Sequence, residues 1–168
     1  MKLNLRMLAL VLVLGIGLLL TACGGGGGGA QTGGGQTGGG ATGAPEPVTI
    51  QIGSDGENLA FDKKELTVKA GQQVTLEFKN NSVAQQHNWV LVKGGEPVAT
   101  QIANDGLVAG LEKDYLPEDQ SNIIAHTGVV EPQASASITF TAPAAGTYLY
   151  ICTVPGHYPL MQGTLIVQ

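Results

Sequence analysis

Short runs of alternating apolar and polar residues make up most of the chain from residue 48 onward. An apolar side chain at every second position is typical of a strand with one buried face. Glycine, proline and asparagine separate the runs and mark turns. The pattern predicts seven strands, at residues 48–52, 66–68, 74–78, 89–92, 135–141, 147–151 and 164–167. Many short strands at this spacing favour an all-β sandwich or barrel.

Two of these strands are separated only by a short turn sequence. Ala70-Gly71 lies between residues 66–68 and 74–78, and Asn80-Asn81-Ser82 follows the second run. Since glycine and asparagine favour tight turns, we expect these two strands to form a hairpin-like pair.

Residues 98–125 do not show the strand pattern and are predicted to be an insertion packed outside the strands. We expect a short helix interrupted near Asp105-Gly106, followed by a polar loop at residues 112–119. The residues predicted to share one side of this helix are Val98, Ile102, Leu107, Val108 and Leu111.

The first 22 residues have the three parts of a bacterial lipoprotein signal peptide. Lys2 and Arg6 are followed by fourteen apolar residues at positions 7–20, which is the length of a signal-peptide core and short for a membrane span. The run ends in Leu20-Thr21-Ala22-Cys23, which resembles a lipobox and makes Cys23 the predicted lipidation site. A plain signal peptide and a short uncleaved anchor are the alternatives.

Residues 23–47 are predicted to be a flexible tether between the lipidated cysteine and a domain at residues 48–168. The tether consists almost wholly of Gly, Gln, Thr, Ala and Pro, a composition typical of flexible linkers. Removal of residues 1–22 leaves 6 basic and 13 acidic residues, a net charge of −7. This acidic balance argues against a nucleic-acid partner and suits a cationic one.

A cluster of potential metal ligands lies near the C-terminus. Cys152, His157 and Met161 fall within ten residues, and Val154-Pro155-Gly156 predicts a sharp turn between the first two. A fourth ligand must come from elsewhere, and spacing alone does not distinguish His87 from His126. Two imidazoles, a thiolate and a weak axial thioether form the ligand set of a blue-copper centre.

Each of these residues also has a simpler interpretation. A buried cysteine or methionine is commonly core packing, and a single histidine is commonly a hydrogen-bonded surface residue. The two cysteines of a secreted protein commonly form a disulfide. We favour lipid on Cys23 and metal on Cys152, because a Cys23–Cys152 bridge would remove the softest ligand from the cluster.

Two segments resemble the metal-binding segments of the azurins. They are His87-Asn88-Trp89-Val90-Leu91 and the sequence from Cys152 through Pro155-Gly156-His157 to Met161. The tethered N-terminus is similar to that of the auracyanins, membrane-associated blue copper proteins of filamentous green phototrophs. The resemblance implies a cupredoxin-like Greek-key β-sandwich with a small helical or loop insertion.

The resemblance also implies the role of each residue at the site. His87, Cys152 and His157 are expected to be equatorial ligands of one copper ion, with Met161 as the long axial ligand. Asn88 corresponds to a residue that ties the His-bearing strand to the Cys loop. Where azurins have a glycine whose carbonyl lies near copper, this chain has Gln86, so a weak backbone contact from Gln86 is the expected counterpart.

These features predict a membrane-tethered, monomeric carrier of single electrons, in which copper cycles between Cu(II) and Cu(I). The expected partners are membrane redox complexes or soluble cytochromes of a photosynthetic or respiratory chain. The expected location is the extracytoplasmic (periplasmic) face of the cell membrane. No enzymatic activity is expected, because four protein ligands leave no open position for a substrate.

Other classes of function remain as alternatives at this point. They are a copper storage or delivery lipoprotein, a structural zinc module, and an enzyme that uses Cys152 as a nucleophile beside a histidine.

Overall fold

The computed structural model describes residues 43–168. The predicted signal peptide, the lipidation site Cys23 and residues 23–42 of the predicted tether lie outside the described residues. The described part contains one α-helix, α1 at Glu96–Ala109, and a 3-10 turn at Leu111–Lys113. Its eight strands are β1 Val48–Gly53, β2 Glu65–Val68, β3 Gln73–Lys79, β4 Val90–Val92, β5 Ile123–His126, β6 Ser135–Thr141, β7 Gly146–Ile151 and β8 Gln162–Val167.

The strands form two sheets, with three strands in the order β1-β3-β6 and five in the order β2-β8-β7-β4-β5. The pairs β1–β3 and β2–β8 are parallel, whereas the other pairings are antiparallel. The apolar core between the sheets contains buried residues from both of them, including Phe78 of β3 and Leu165 of β8. The predicted all-β sandwich is therefore confirmed.

The predicted hairpin of residues 66–68 and 74–78 is wrong. The two segments are strands, β2 and β3, but they belong to different sheets. Leu66 pairs with Leu165 of β8, and Leu76 pairs with Ile50 and Ile138. The turn at Gly71 therefore carries the chain from one sheet to the other, which lets β2 and β3 both bury their apolar faces in the shared core.

The expected insertion contains a strand that the pattern did not reveal. Residues 123–126 form β5 at the edge of the five-stranded sheet, with a register irregularity opposite Leu91 and Val92. All four residues of β5 are half-buried, so the segment lacks the alternation of a strand with one exposed face.

Helix α1 is continuous, and the predicted interruption near Asp105-Gly106 is wrong. Its buried residues are Ala99, Ile102 and Gly106, whereas Leu107 and Val108 of the predicted apolar side are exposed, as is Leu111 beyond the helix. The backbone carbonyl of Tyr115 packs so closely on Gly106 that an added Cβ would lie 2.1 Å from its oxygen. Glycine therefore permits this side of the helix to approach the following loop.

Strands β4 and β7 are enclosed on both sides. Leu91 and Tyr150 belong to the core between the sheets, whereas Val90 and Ile151 belong to a second apolar cluster under α1. Because both faces are covered where these two strands pair, side chains at their ends are supported by packing on both sides. Among residues 43–168, no helix is long and apolar enough to cross a membrane.

Candidate metal centre

Two of the predicted ligands, His87 and Cys152, lie at the ends of the two enclosed strands. His87 precedes β4 and Cys152 follows β7, and the pairing of Val90 with Ile151 brings these two ends together. His87 is itself anchored by two backbone hydrogen bonds with Val130, of 3.2 and 2.7 Å. The long-range contact between residues 87 and 152 is thus a direct result of sheet register.

The third predicted ligand, His157, is positioned by the turn after Cys152. The backbone N–H of His157 donates to the Val154 carbonyl over 3.0 Å, and Gly156 has the positive φ of 81° that this turn requires. The turn directs the His157 ring back toward Cys152. The chain thus reverses direction between residues 152 and 157, which brings the His157 imidazole next to the Cys152 sulfur.

One ligand atom from each of His87, Cys152 and His157 lies within 4.8 Å of the others. The two Nδ1 atoms are 3.1 Å apart, and Sγ of Cys152 is 3.4 Å from Nδ1 of His157 and 3.9 Å from Nδ1 of His87. All three side chains are buried, and even the most accessible, His157, is only 8% exposed.

These distances fit a trigonal metal site. A metal about 2.0 Å from each nitrogen and about 2.3 Å from the sulfur would place the nitrogens about 3.5 Å apart and each nitrogen about 3.7 Å from the sulfur. The three observed separations lie within about 0.4 Å of these values. The donor atoms are therefore already spaced for a metal ion, and Nδ1 is the nitrogen of each ring that lies near the sulfur and the other ring.

Met161 lies in the same part of the core. Its side chain is fully buried in the apolar cluster that contains Cys152. Its backbone is fixed by two hydrogen bonds: Cys152 N–H donates to the Met161 carbonyl over 3.0 Å, and Met161 N–H donates to the His157 carbonyl over 2.9 Å. The loop from Cys152 to Met161 is thus closed on itself at both ends.

Burial favours the neutral form of all three candidate ligands. It raises the pKa of the Cys152 thiol to about 12. Burial, with the neighbouring His157 ring as a second cause, lowers the pKa of His87 to about 4, and burial also lowers the pKa of His157. At neutral pH the imidazoles are therefore unprotonated and ready to bind a metal, whereas metal binding must release the thiol proton.

Asn88 ties the His87 segment to the Cys152 loop, as the resemblance implied. Its Oδ1 accepts a hydrogen bond from Thr153 N–H over 2.8 Å, and its Nδ2 donates to Thr153 Oγ1 over 2.8 Å and to the Asp114 carbonyl over 3.0 Å. One side chain thus fixes three segments around the ligands, which is the role that outer-shell hydrogen bonds have at metal sites.

A second network, which the sequence analysis did not identify, holds the segment before His87. The Asn80 side chain donates to the Gln85 and Val130 carbonyls and accepts from Ser82 N–H. The Glu57 carboxylate accepts from Ser82 Oγ over 2.8 Å and from the backbone N–H of the following residue. The only sequence signal is Asn80-Asn81-Ser82, which predicts a turn but not this network.

The structure does not bring His126 into the cluster. His126 lies on β5, where its Nδ1 is 3.1 Å from the Thr127 carbonyl oxygen. The Gln86 side chain is hydrogen-bonded to Glu131 over 2.6 Å. Among residues 43–168, Cys152 has no disulfide partner.

Comparison with known proteins agrees with this donor set. Residues 48–168 match the family described as copper binding proteins, plastocyanin/azurin family. The chain belongs to this family. Membership confirms the resemblance to azurins, and the cluster of His87, Cys152 and His157 is consistent with one type 1 copper ion.

One relative within this plastocyanin/azurin family is auracyanin A of Chloroflexus aurantiacus. It is 68% identical to this chain over 122 residues, and the alignment covers 73% of this chain and 75% of the relative. A solved structure of auracyanin A, described as a "blue" copper protein from a photosynthetic bacterium, aligns with a TM-score of 0.72 at 68% identity over 73% of this chain and 99% of that one. The dithionite-reduced auracyanin of Roseiflexus castenholzii aligns with a TM-score of 0.70 at 54% identity, over 74% and 99% of the two chains.

Azurin-1 of Alcaligenes xylosoxydans xylosoxydans is 41% identical over 121 residues, 67% of this chain and 91% of the relative. The structural matches confirm the cupredoxin fold with one helix outside two sheets. Blue copper proteins such as auracyanins and azurins act in electron transfer.

Proposed function

We propose that this protein carries single electrons between redox partners, using one copper ion held by His87, Cys152 and His157, with Met161 as the axial ligand. The observation that supports this proposal most strongly is the burial of three preorganised ligand atoms beside a buried methionine. Bound copper would supply a Cu(II)/Cu(I) couple.

The role of the chain is to keep the ligands in one arrangement in both oxidation states. The enclosed strands β4 and β7 support His87 and Cys152, and the Asn88 hydrogen bonds to Thr153 fix the start of the loop that follows Cys152. Since little of the site has to move, the energetic cost of changing oxidation state stays small. We propose the Gln86 carbonyl as a weak additional contact.

The geometry argues against an enzyme that uses Cys152 as its nucleophile. Nucleophilic cysteines have lowered pKa values and are accessible to substrate. Cys152 is fully buried, and that burial raises its thiol pKa. We therefore propose a carrier without enzymatic activity. The alternative of copper storage or delivery requires a readily released ion, which a buried four-residue site disfavours.

Exchanging Met161 for glutamine should lower the reduction potential while keeping the copper–thiolate absorption band. The thioether is a soft ligand that favours Cu(I), and the axial ligand tunes the potential of such sites. Voltammetry of Met161→Gln beside the unchanged protein measures the shift. An unchanged potential would remove Met161 from the coordination sphere.

We propose an apolar collar, formed by Tyr158, Pro159 and Leu160, as a docking surface for redox partners. Leu160 is 65% exposed, and no Asp, Glu, Lys or Arg occurs between residues 151 and 167. The collar follows His157 directly in sequence. Small apolar interfaces suit electron carriers, because weak binding permits rapid release. Membrane redox complexes or soluble cytochromes are the proposed partners.

We also propose that lipid on Cys23 anchors the domain to the extracytoplasmic face of the cell membrane, after cleavage of residues 1–22. The lipobox-like sequence Leu20-Thr21-Ala22-Cys23 supports this, and the composition of residues 24–47 suits a tether. Such a tether would let the domain reach partners of a photosynthetic or respiratory chain.

Replacing Cys23 with serine in the full chain should release the protein from the membrane fraction without loss of copper binding. The lipid is the predicted attachment, and the copper ligands lie more than 60 residues away in sequence. Fractionation of cells and copper analysis of each fraction measure both properties. If the protein with Cys23 intact is already found in the soluble fraction without detergent or proteolysis, the proposed lipid anchor is wrong.

A further inference from the structure

A second exposed apolar surface lies at the C-terminal end of α1. Val108 is 87% exposed, and Leu107 and Leu111 are 55% and 50% exposed. Leu107 and Val108 are on the last turn of the helix, and Leu111 begins the 3-10 turn that follows. Three large apolar side chains are thus left in solvent within five residues, although the same helix buries Ala99, Ile102 and Gly106.

Acidic side chains surround this surface. A surface cavity of about 530 Å³ lies here, lined by Val108 and Lys113 together with Asp105, Glu118 and Asp119. Another cavity, of about 550 Å³, lies on the three-stranded sheet, away from this surface. Glu112 is exposed beside Leu111. Between residues 101 and 122 the chain has five acids and a single base, Lys113. The apolar residues therefore lie within a strongly acidic rim, and we call the whole the helix-end surface.

This surface is connected to the copper ligands through hydrogen bonds. The loop that follows the 3-10 turn presents the Asp114 carbonyl to Nδ2 of Asn88 over 3.0 Å. Oδ1 of the same amide accepts from Thr153 N–H over 2.8 Å, and Thr153 is the residue after Cys152. Two hydrogen bonds through one buried side chain thus join the helix-end surface to the ligand backbone.

The helix-end surface is separate from the apolar collar. The Tyr158 hydroxyl lies 3.4 Å from the Glu96 carbonyl and 3.4 Å from Thr100 Oγ1, at the start of α1. The helix-end surface lies at the other end of this 14-residue helix. At 1.5 Å per residue the two ends are about 20 Å apart.

The acidic charge of the helix-end surface indicates which kind of partner can bind there. Two copies of this chain would bring acidic rims together, and an anionic membrane surface would be repelled in the same way. A protein with basic side chains around an apolar centre would match both the rim and the exposed apolar residues.

We propose that the helix-end surface is a second docking site, which binds a basic redox protein and passes electrons through Asp114 and Asn88 to the Cys152 side of the copper site. This inference rests on the proposed electron-carrier function and adds the chemical class of one partner. The chain would then accept and donate electrons at different surfaces: the uncharged collar and the acidic helix end.

The test uses stopped-flow electron exchange between the copper-loaded protein and a lysine-rich c-type cytochrome. The variant Glu112→Gln/Glu118→Gln/Asp119→Asn removes three rim charges from exposed side chains. The matched control, Glu46→Gln/Glu65→Gln/Glu77→Gln, removes three exposed charges from other parts of the fold. Rates are measured at ionic strengths of about 0.01 M and about 1 M, where the Debye length is about 30 Å and about 3 Å.

We expect the rim variant to lose roughly tenfold or more in second-order rate at low ionic strength, in the range of electrostatic steering. The control should lose clearly less, and the difference between the two should disappear at high salt. Val108→Ser should slow exchange at both salt concentrations, because it removes an apolar contact. Equal losses in rim variant and control, together with no effect of Val108→Ser, would overturn the proposal.

A small inorganic oxidant and reductant separate this inference from the proposed function. Reversible oxidation and reduction of every variant by these reagents, with unchanged spectra, shows that the copper site itself operates. Failure of the unchanged protein to cycle would contradict the electron-carrier function. Normal cycling with no effect of the rim or Val108 changes on the cytochrome reaction would contradict only the second docking site.

Discussion

Replacing Cys152 with serine is expected to abolish the intense visible absorption of the copper-loaded protein. The band depends on a copper–thiolate bond, and serine provides an oxygen of similar size in place of the sulfur. Cys152 is the only cysteine among residues 43–168 and lies 3.4 Å from Nδ1 of His157. Absorption spectra of the two proteins at equal copper occupancy measure the effect.

Two control pairs make this result specific to the predicted ligands. Thr153→Ser keeps the hydroxyl that accepts from Asn88 and should keep the band. His87→Gln should lose or strongly alter the band, whereas His126→Gln should leave it unchanged, because His126 lies outside the ligand cluster. A Cys152→Ser protein that keeps its colour would exclude the thiolate as a ligand.

Copper is expected to stabilise the folded domain substantially. It joins the start of β4, the end of β7 and the loop after β7, which are otherwise linked by hydrogen bonds and packing. A ligand that binds only the folded state, at a free concentration about 1,000 times its dissociation constant, stabilises by about 4 kcal/mol. For a domain of this size the melting temperature should rise on the order of 10 °C.

Calorimetric melts of metal-free and copper-loaded protein measure this difference. The Cys152→Ser variant is the matched control, because it keeps the fold and loses the strongest ligand, so copper should raise its melting temperature much less. Equal melting temperatures with and without bound copper would be inconsistent with a site that spans these segments.

The strands were predictable because alternation is a local property, but their partners were not. The run at residues 66–68 shows that one face of β2 is buried. Pairing with β3 or with β8 would bury that face equally well, so the pattern does not identify the partner strand. The actual partner, β8, is almost a hundred residues away. Strand β5 lacked a signal altogether, since its four side chains are all half-buried.

The helix was predictable in type, but only part of its buried side was: Ile102 is buried and Val98 half-buried as expected, whereas the other three predicted residues are exposed. Counting large apolar residues favoured Leu107, Val108 and Leu111, because sequence patterns give small residues little weight. The structure buries Ala99 and Gly106 beside Ile102, and at Gly106 the close approach of the Tyr115 backbone leaves no room for a larger side chain. The displaced apolar residues are those that form the helix-end surface.

The candidate metal site was predictable to the extent that its proposed ligands are close in sequence. Cys152, His157 and Met161 lie on one loop, so their convergence follows from a single turn. The choice of His87 over His126 required resemblance to a known family, because it depends on the pairing of β4 with β7. The Glu57–Ser82 hydrogen bond joins residues 25 apart, so the turn sequence Asn80-Asn81-Ser82 gives no indication of this partner.

The most direct measurement is a spectroelectrochemical titration of the copper-loaded protein. If the chain is a one-electron carrier with a copper–thiolate bond, the visible band should disappear on reduction and return fully on oxidation. The fraction oxidised should follow a one-electron Nernst curve, with copper retained throughout. A protein that binds copper but is colourless, or that loses its copper on reduction, would contradict the electron-carrier function.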